Sequence, residues 1–559
     1  MRQIQPMSNL YREVFRLLRP FWPLALLGTV MGSAGGLATV WLLATINRGL
    51  RSGEVTVWFL LSLAGLCAAS LVGGAVAGVG NSIVGQRVVA ALRKEISARI
   101  LCAPIAAIEQ TRVHRLMTTL NQDIDTFSVF TFNFSGYATA LATVVGCIVY
   151  MVVLSPILFL LAAGAIAAGI GASRYARREW LRFYRDVGSA QDELQKQYRA
   201  ITDGAKELRI NRPRRFQVFE TELSGAADRV ATLKIAAMRL YWLAHTGSSA
   251  LFFLAIGAMI ALGQHLGAGA GVVTGFVIVM LYVKGPIEQV ASGLPNLVQA
   301  QVAFRRIAEL MTQFANREPY LLTANAAPAD REIREIELRR VRYTFPATGG
   351  GSVFELGPID LTVRRGETLF IVGENGSGKT TLIKLLLGLY SPESGTVLLD
   401  GAALPPDRLD DYRQLFSAVF SDYFLFADLL ATGADTAERA RAYLERLEIG
   451  HKVRVENGAF TTTDLSTGQR KRLALVHAYL EQRPIMMFDE WAADQDPTFR
   501  RVFYTELLPD LKRQGKTLIV ISHDDRFFDA ADRIIRLEAG KIVEDRRMTS
   551  DQAAASGIA

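Results

Sequence analysis

The stretch ETLFIVGENGSGKTTLIKLLLGL, residues 367–389, passes from an apolar strand through a glycine-rich turn into an apolar helix. Gly373, four residues, then Gly378, Lys379 and Thr380 is the spacing of a phosphate-binding loop. Glycines there let backbone N–H groups converge on phosphate oxygens. Lys379 supplies a point charge and Thr380 a hydroxyl for Mg²⁺. The motif carries weight only between a strand and a helix, and both are written in its flanks. It predicts an α/β nucleotide-binding domain.

A second stretch, IMMFDEWAADQDP (485–497), ends four apolar residues on two adjacent carboxylates. In phosphate-loop ATPases a buried strand delivers an Asp to the Mg²⁺ shell, the role expected of Asp489. Glu490 projects differently and is placed to polarise the attacking water as a general base. Two surface carboxylates would fit a lone DE, but not an apolar run that follows a phosphate loop. Between the two stretches lies LSTGQRKRLALVHAYL (465–480). Ser466, Thr467 and Gly468 stand at a helix start, where unpaired N–H groups and the positive dipole end suit an anion such as a γ-phosphate.

Outward from these motifs the composition changes. The chain has 559 residues, 50% of them hydrophobic, and a mean hydropathy of +0.21, which suits a membrane part joined to a soluble one. Apolar windows fall at 21–46, 57–79, 134–154, 157–172, 243–262 and 271–287, and none follows residue 331. Each is near the ~20 residues that cross ~30 Å of hydrocarbon. Taken singly, the shortest could be a buried core helix; together they predict six spans. The first follows a basic amphipathic lead, MSNLYREVFRLLRPFWP (7–23), without a small-residue cleavage pattern, so it is expected to be retained. The expected division is a transmembrane domain at 1–315, a linker at 316–332 and a nucleotide-binding domain at 333–559.

Basic residues set the orientation. Arg12, Arg16 and Arg19 precede span one, Arg87, Arg93, Lys94 and Arg99 follow span two, and Arg174, Arg177, Arg178 and Arg182 follow span four. These ends are expected in the cytoplasm, although Arg48 and Arg51 run against the trend. Such loops account for the net charge of +8 and pI near 9.3 without a nucleic-acid partner. Cys67, Cys102 and Cys147 show no metal-ligand spacing and read as small hydrophobes. Polar stretches at 81–130 and 174–240 read as helices that continue past the bilayer. Their turns are APIAAIEQTRV (103–113) and DGAKELRINRPRRF (203–216), and Arg212, Arg214 and Arg215 in the second are expected to dock on a cassette.

Phosphate loop, LSTGQ, DE and VISHDD (520–525) occur in the order found in ATP-binding cassette transporters, which the chain resembles; the usual family signature is LSGGQ. The resemblance covers the whole length, since six spans followed by one cassette is similar to an exporter half-transporter. It implies that Phe345 in VRYTFP stacks on adenine and that His523 contacts the γ-phosphate. It also implies that Gly373, Glu374, Asn375, Gly376, Ser377, Gly378, Lys379, Thr380 and Thr381 hold ATP, together with Ser466, Thr467, Gly468 and Gln469 of the signature. Thr380 and Asp489 would bind Mg²⁺, and Glu490, His523 and Lys379 would carry catalysis. Family cassettes close head to tail, so one cassette per chain implies a homodimer.

Two departures stand out. Ser421 in SAVFSDYFLF (417–426) occupies the place of a Gln that couples Mg²⁺ and the membrane domain to catalysis, so a water or another side chain would take over there. The D-loop reads AADQD (492–496) after Trp491, for which the sequence itself holds no physical reason. With the signature, these stretches resemble the bacterial branch that exports cyclic peptides and nonribosomal siderophores, including pyoverdine, syringomycin-type and microcin exporters. The implied function is ATP-driven export of such a cargo across the inner membrane by alternating access. A lipid or multidrug exporter and a non-transporting membrane ATPase are the alternatives.

In the sixth span, GVVTGFVIVMLYVKGPIEQV (271–290), Lys284 lies ~20 Å along a helix from Gly271. A lysine at that depth faces the bundle interior, snorkels, or pairs with Glu288 one turn on. The plainer reading is a span that starts earlier and leaves Lys284 as an interfacial anchor; the sharper one is that Lys284, with Tyr282 and His245, lines an inward-facing cavity and meets acidic groups on the cargo.

Overall fold

The computed structural model describes residues 19–53, 56–111, 113–265, 269–315, 318, 321–322, 333–345, 354–429 and 434–548. The basic lead with Arg12 and Arg16, and most of the expected linker, lie outside them, as do the side chains of Arg174, Arg177, Arg178, Arg182 and His245. The helices before the cassette are α1 (Trp22–Ser52), α2 (Val57–Leu101), α3 (Ile105–Glu109), α4 (Val113–Thr118), α5 (Ile124–Leu154), α6 (Pro156–Asp203), α7 (Ala205–Ile210), α8 (Arg212–Gln217), α9 (Ser224–His265) and α10 (Ala270–Gln313). Among the described residues, five helical segments are long and apolar enough to cross a membrane. The remaining window, 157–172, opens α6, whose apolar stretch Pro156–Ala168 is shorter.

The chain forms two compact units, Met1–Arg93 with Thr118–Ala308, and Lys94–Met117 with Glu309–Ala559. In the first, small residues let helices approach. A Cβ on Gly73 of α2 would lie 2.9 Å from the Cα of Gly35 on α1, so the two backbones meet only where both residues are glycine. Val40, Cys147, Met151, Leu158, Met259, Phe276 and Met280 bring α1, α5, α6, α9 and α10 into one buried cluster. Lys284 of α10 donates to Ser249 Oγ of α9 at 3.0 Å, sits 5.4 Å from the Phe253 ring and lies 4.0 Å from Glu288. The expected Glu288 pairing is therefore one of three contacts, two of which reach a neighbouring helix. At the turn between α7 and α8, Asn211 accepts from the amide of Arg214 at 3.0 Å, and Arg215 donates to the carbonyls of Leu208 and Arg209 at 3.2 Å each.

The second unit carries two main sheets. Strands β1 (Glu335–Phe345), β2 (Phe354–Arg364), β4 (Ser394–Leu399) and β5 (Ala402–Ala403) form an antiparallel sheet in the order β2-β1-β4-β5. Strands β3 (Thr368–Gly373), β6 (Phe416–Val419), β9 (Ile485–Asp489), β10 (Thr517–Ile521), β11 (Arg533–Glu538) and β12 (Lys541–Arg547) form the other, ordered β12-β11-β3-β10-β9-β6 and parallel except at β12. A small hairpin, β7 (Val455–Glu456) and β8 (Ala459–Phe460), stands apart. Every residue of β9 and β10 is buried, which is why both read as continuous apolar runs. Helices α11 (Lys379–Leu386), α12 (Leu409–Arg413), α13 (Ala434–Arg446) and α14 (Thr467–Glu481) complete the elements around the site. Ile105 and Ala106 of α3 pack on the core that contains β1, β2 and α11.

Candidate nucleotide-hydrolysis site

Register levels the carboxyl ends of the central strands. Leu537 of β11 pairs with Gly373 of β3, and Ile521 of β10 pairs with both Ile371 and Asp489. Parallel sheets of this kind take their ligand at that edge. It is where the phosphate loop leaves β3 and the carboxylate pair leaves β9.

The loop's geometry needs its glycines. Gly373, Gly376 and Gly378 have φ of 150°, 81° and 101°, and a Cβ on Gly373 would collide with the carbonyl of Leu537. Lys379 is buried, and its Nζ donates to the carbonyls of Gly373 at 2.9 Å and Glu374 at 3.0 Å. Burial pushes its pKa down, opposed by the charges of Glu490 and Asp489. Glu374, Asn375, Gly376 and Thr380 are exposed along the loop, with Thr381 half-buried behind them. Among the described residues, the buried Ser377 Oγ has no hydrogen-bond partner.

Across the edge, Asp489 is buried, and burial first and Glu490 second raise its pKa. Ser421 donates to Asp489 Oδ2 at 3.3 Å. The residue in place of the family Gln thus addresses the carboxylate expected to hold the metal. Glu490 adopts φ 48° and ψ 34°, left-handed values unusual for a residue with a side chain. Its Oε1 lies 3.0 Å from His523 Nε2. Lys379, Asp489, Glu490, His523 and Ser421 therefore gather on one sheet edge.

Phe345 ends β1, 39% exposed, with ring centroids 6.2 Å from Tyr343 and 6.4 Å from Tyr390. Ser466 and Thr467 are exposed at the start of α14, where the Ser466 hydroxyl makes no capping bond. Gln469 accepts from Lys452 at 3.3 Å. Gly468 packs on the D-loop, since a Cβ there would stand 2.9 Å from the carbonyl of Asp494.

Mg²⁺ favours hard oxygen ligands, commonly one or two carboxylates completed by phosphates and water. The carboxylate of Asp489, the hydroxyl of Thr380, the orphaned hydroxyl of Ser377 and the glycine amides fit MgATP as a donor set. They would hold it without any His or Cys ligand.

Sequence reasoning missed Lys471 and held no reason for Trp491. Trp491 is 1% exposed, donates Nε1–H to the carbonyl of Lys471 at 2.9 Å, and has its ring 4.5 Å from Phe503. Lys471 is 2% exposed, on the face of α14 that also buries Leu475 and Tyr479. A lysine at the i position of an apolar i, i+4, i+8 stripe was the available signal.

Comparison with known proteins agrees with the architecture. Residues 356–493 match the family described as ABC transporter, and residues 22–225 match the ABC transporter transmembrane region. The ATP-binding protein SyrD of Pseudomonas syringae pv. syringae is 34% identical over 546 residues, covering 95% of this chain and 96% of that protein. An ATP-dependent lipid A-core flippase of Alkalilimnicola ehrlichii is 27% identical, covering 96% and 93%. A solved bacterial Atm1-family ABC exporter with ATP bound shares the fold with a TM-score of 0.71 at 17% identity, covering 97% of each chain.

Proposed function

Because the chain belongs to the ABC transporters, as an ATP-hydrolysing exporter of the inner membrane with several spans and one cassette, we propose that it works as a homodimer moving a cyclic peptide, nonribosomal peptide or siderophore outward. The observation that supports the catalytic part is the gathering of Lys379, Asp489, Glu490 and His523 on one sheet edge. Lys379 and the loop amides would bind the β- and γ-phosphates, and Thr380 and Asp489 would hold Mg²⁺, which would supply charge neutralisation at the phosphates. Glu490 orients and deprotonates the attacking water, while His523 steadies that carboxylate and meets the γ-phosphate. Phe345 stacks on adenine. Ser466, Thr467, Gly468 and Gln469 complete the site of the other chain.

The cargo reading rests on SAVFSDYFLF, LSTGQ and FDEWAADQDP, with identity to SyrD along nearly the whole chain in support. A lipid cargo is the second reading, favoured by full-length similarity to lipid A-core flippases. Metabolite profiles inside and outside a strain lacking the gene, with flux into proteoliposomes, separate the two. Intracellular accumulation of a peptide or siderophore supports the first reading. A lipid accumulating in the inner leaflet, with the peptide profile unchanged, rejects it.

A further inference from the structure

The residues after Gly468 are tied to those after Asp489 by polar bonds that the hydrolysis chemistry does not itself require. Lys471 Nζ lies 3.0 Å from the main-chain carbonyl of Glu490 and 2.8 Å from Asp494 Oδ2. The carbonyl of Lys471 accepts the indole N–H of Trp491 at 2.9 Å. One residue of α14 therefore grips this loop twice, through its ammonium and through its backbone. Beside it, Gln495 donates to the carbonyl of Gly468 at 3.0 Å and accepts from Arg472 Nε at 3.0 Å. Arg472 also reaches Asp496 at 2.6 Å and lies 3.5 Å above the Phe499 ring. The first two turns of α14 and residues 490–496 form one body.

A buried ammonium is costly unless its hydrogen bonds are satisfied, and here part of that satisfaction is the Glu490 carbonyl. Glu490 is also the residue held at φ 48° and ψ 34°. A left-handed backbone on a long side chain persists only when its surroundings over-determine it. The orientation of its peptide fixes the direction in which the carboxylate leaves the main chain, towards His523 at 3.0 Å.

We propose that Lys471 is a positioning residue that sets the Glu490 carboxylate from the signature helix. When the start of α14 engages ATP on the partner's phosphate loop, the same rigid body carries the Glu490 peptide of its own chain, so closure of one site aligns the base of the other. This rests on the reading of Glu490 as the base, and the test separates the two.

The experiment measures ATPase kinetics, equilibrium MgATP binding and thermal unfolding of the full-length protein as Lys471→Met, Lys471→Arg, Glu490→Gln and the Lys471→Met/Glu490→Gln double variant. Misplacing a catalytic group by about 1 Å can cost ~10²-fold. Lys471→Met is expected to lower kcat by roughly tenfold to a hundredfold, with KM and MgATP affinity unchanged, and Lys471→Arg to recover part of the loss. In the Glu490→Gln background the second change is expected to remove nothing further, because Lys471 acts through Glu490. Wild-type kcat in Lys471→Met, or an equal additional loss in the double variant, overturns the proposal. If Lys471→Met fails to fold, Trp491→Phe keeps an aromatic ring, though a smaller one, and deletes the indole donor. It is expected to lower kcat without moving KM, and unchanged kcat there counts against the proposal. Wild-type turnover in Glu490→Gln would reject the base assignment instead.

Discussion

Glu490 and Asp489 are neighbours in the chain and separate in chemistry because one is buried and the other half-open. Asp489 is 2% exposed with Ser421 on its oxygen, whereas Glu490 turns through a left-handed backbone to His523. Glu490→Gln is therefore expected to retain MgATP binding and lose ~10²–10⁴-fold in turnover, as general-base deletions do. Lys379→Ala is expected to weaken nucleotide binding itself; equilibrium binding beside single-turnover kinetics distinguishes the two lesions. The carboxylate pair was legible from IMMFDE because an apolar strand ending in two acids is a local pattern. Trp491 was not, because its reason lies twenty positions away, in the carbonyl of Lys471, and in the rings of Phe499 and Phe503. In the membrane part, Lys284 bonds to Ser249 and faces Phe253, contacts that an interfacial anchor does not need. Lys284→Gln keeps a hydrogen-bond donor, one bond shorter in reach, and removes the charge. It is expected to change export, or its preference among cargoes, with basal ATPase retained; unchanged export discards a cargo-binding role.

At the scale of elements, α3 is five residues long, below the length at which helices hold themselves together in water. It is fastened by its side chains. Glu109 accepts from Lys384 Nζ of α11 at 2.8 Å and from the hydroxyl of Tyr390. Tyr390 stacks on Tyr343 with centroids 4.8 Å apart, and Tyr343 meets Phe345 edge-on. The turn at 103–113 was legible as a break between long polar helices. Its attachment was not, because Glu109 and Tyr390 are 281 positions apart. Glu109 thus connects α3 to the phosphate-loop helix and, through two rings, to the aromatic expected to cover adenine. Glu109→Gln leaves one weaker hydrogen bond where two converged on a carboxylate. Cargo stimulation of ATPase is expected to fall several-fold while basal turnover changes little; parallel loss of both would indicate that α3 merely stabilises the cassette. At the other turn, Arg215 serves the turn's own carbonyls. Charge reversal aimed at docking therefore belongs at Arg212 and Arg214.

For the whole molecule, the question is which chain supplies the two halves of an ATP site. Within one chain the phosphate loop leaves β3 and the signature opens α14, whose exposed first residues, Ser466 and Thr467, present a hydroxyl free of any capping bond. A helix start with unpaired N–H groups and an uncommitted hydroxyl is ready for an anion. In a two-fold dimer closed head to tail, that anion is the γ-phosphate held by the other chain. The arrangement has a consequence that no single-chain site shares. Lys379→Ala disables the phosphate loop of a chain, and Ser466→Arg disables its signature without removing a cap that holds α14. Each homodimer has two defective sites and is expected to be inactive. In a mixed dimer built in trans, one site receives both lesions and the other receives neither. Co-expression at equal levels makes about half the dimers mixed, and each mixed dimer is expected to recover MgATP occlusion at its one intact site, whether or not hydrolysis there also needs closure of the other site. If signature and phosphate loop served the same chain's ATP, every site in the mixture would carry one lesion, and MgATP occlusion would stay at the level of the single variants. Measuring MgATP occluded per doubly tagged, tandem-purified mixed dimer decides between them, and no recovery there removes the head-to-tail dimer.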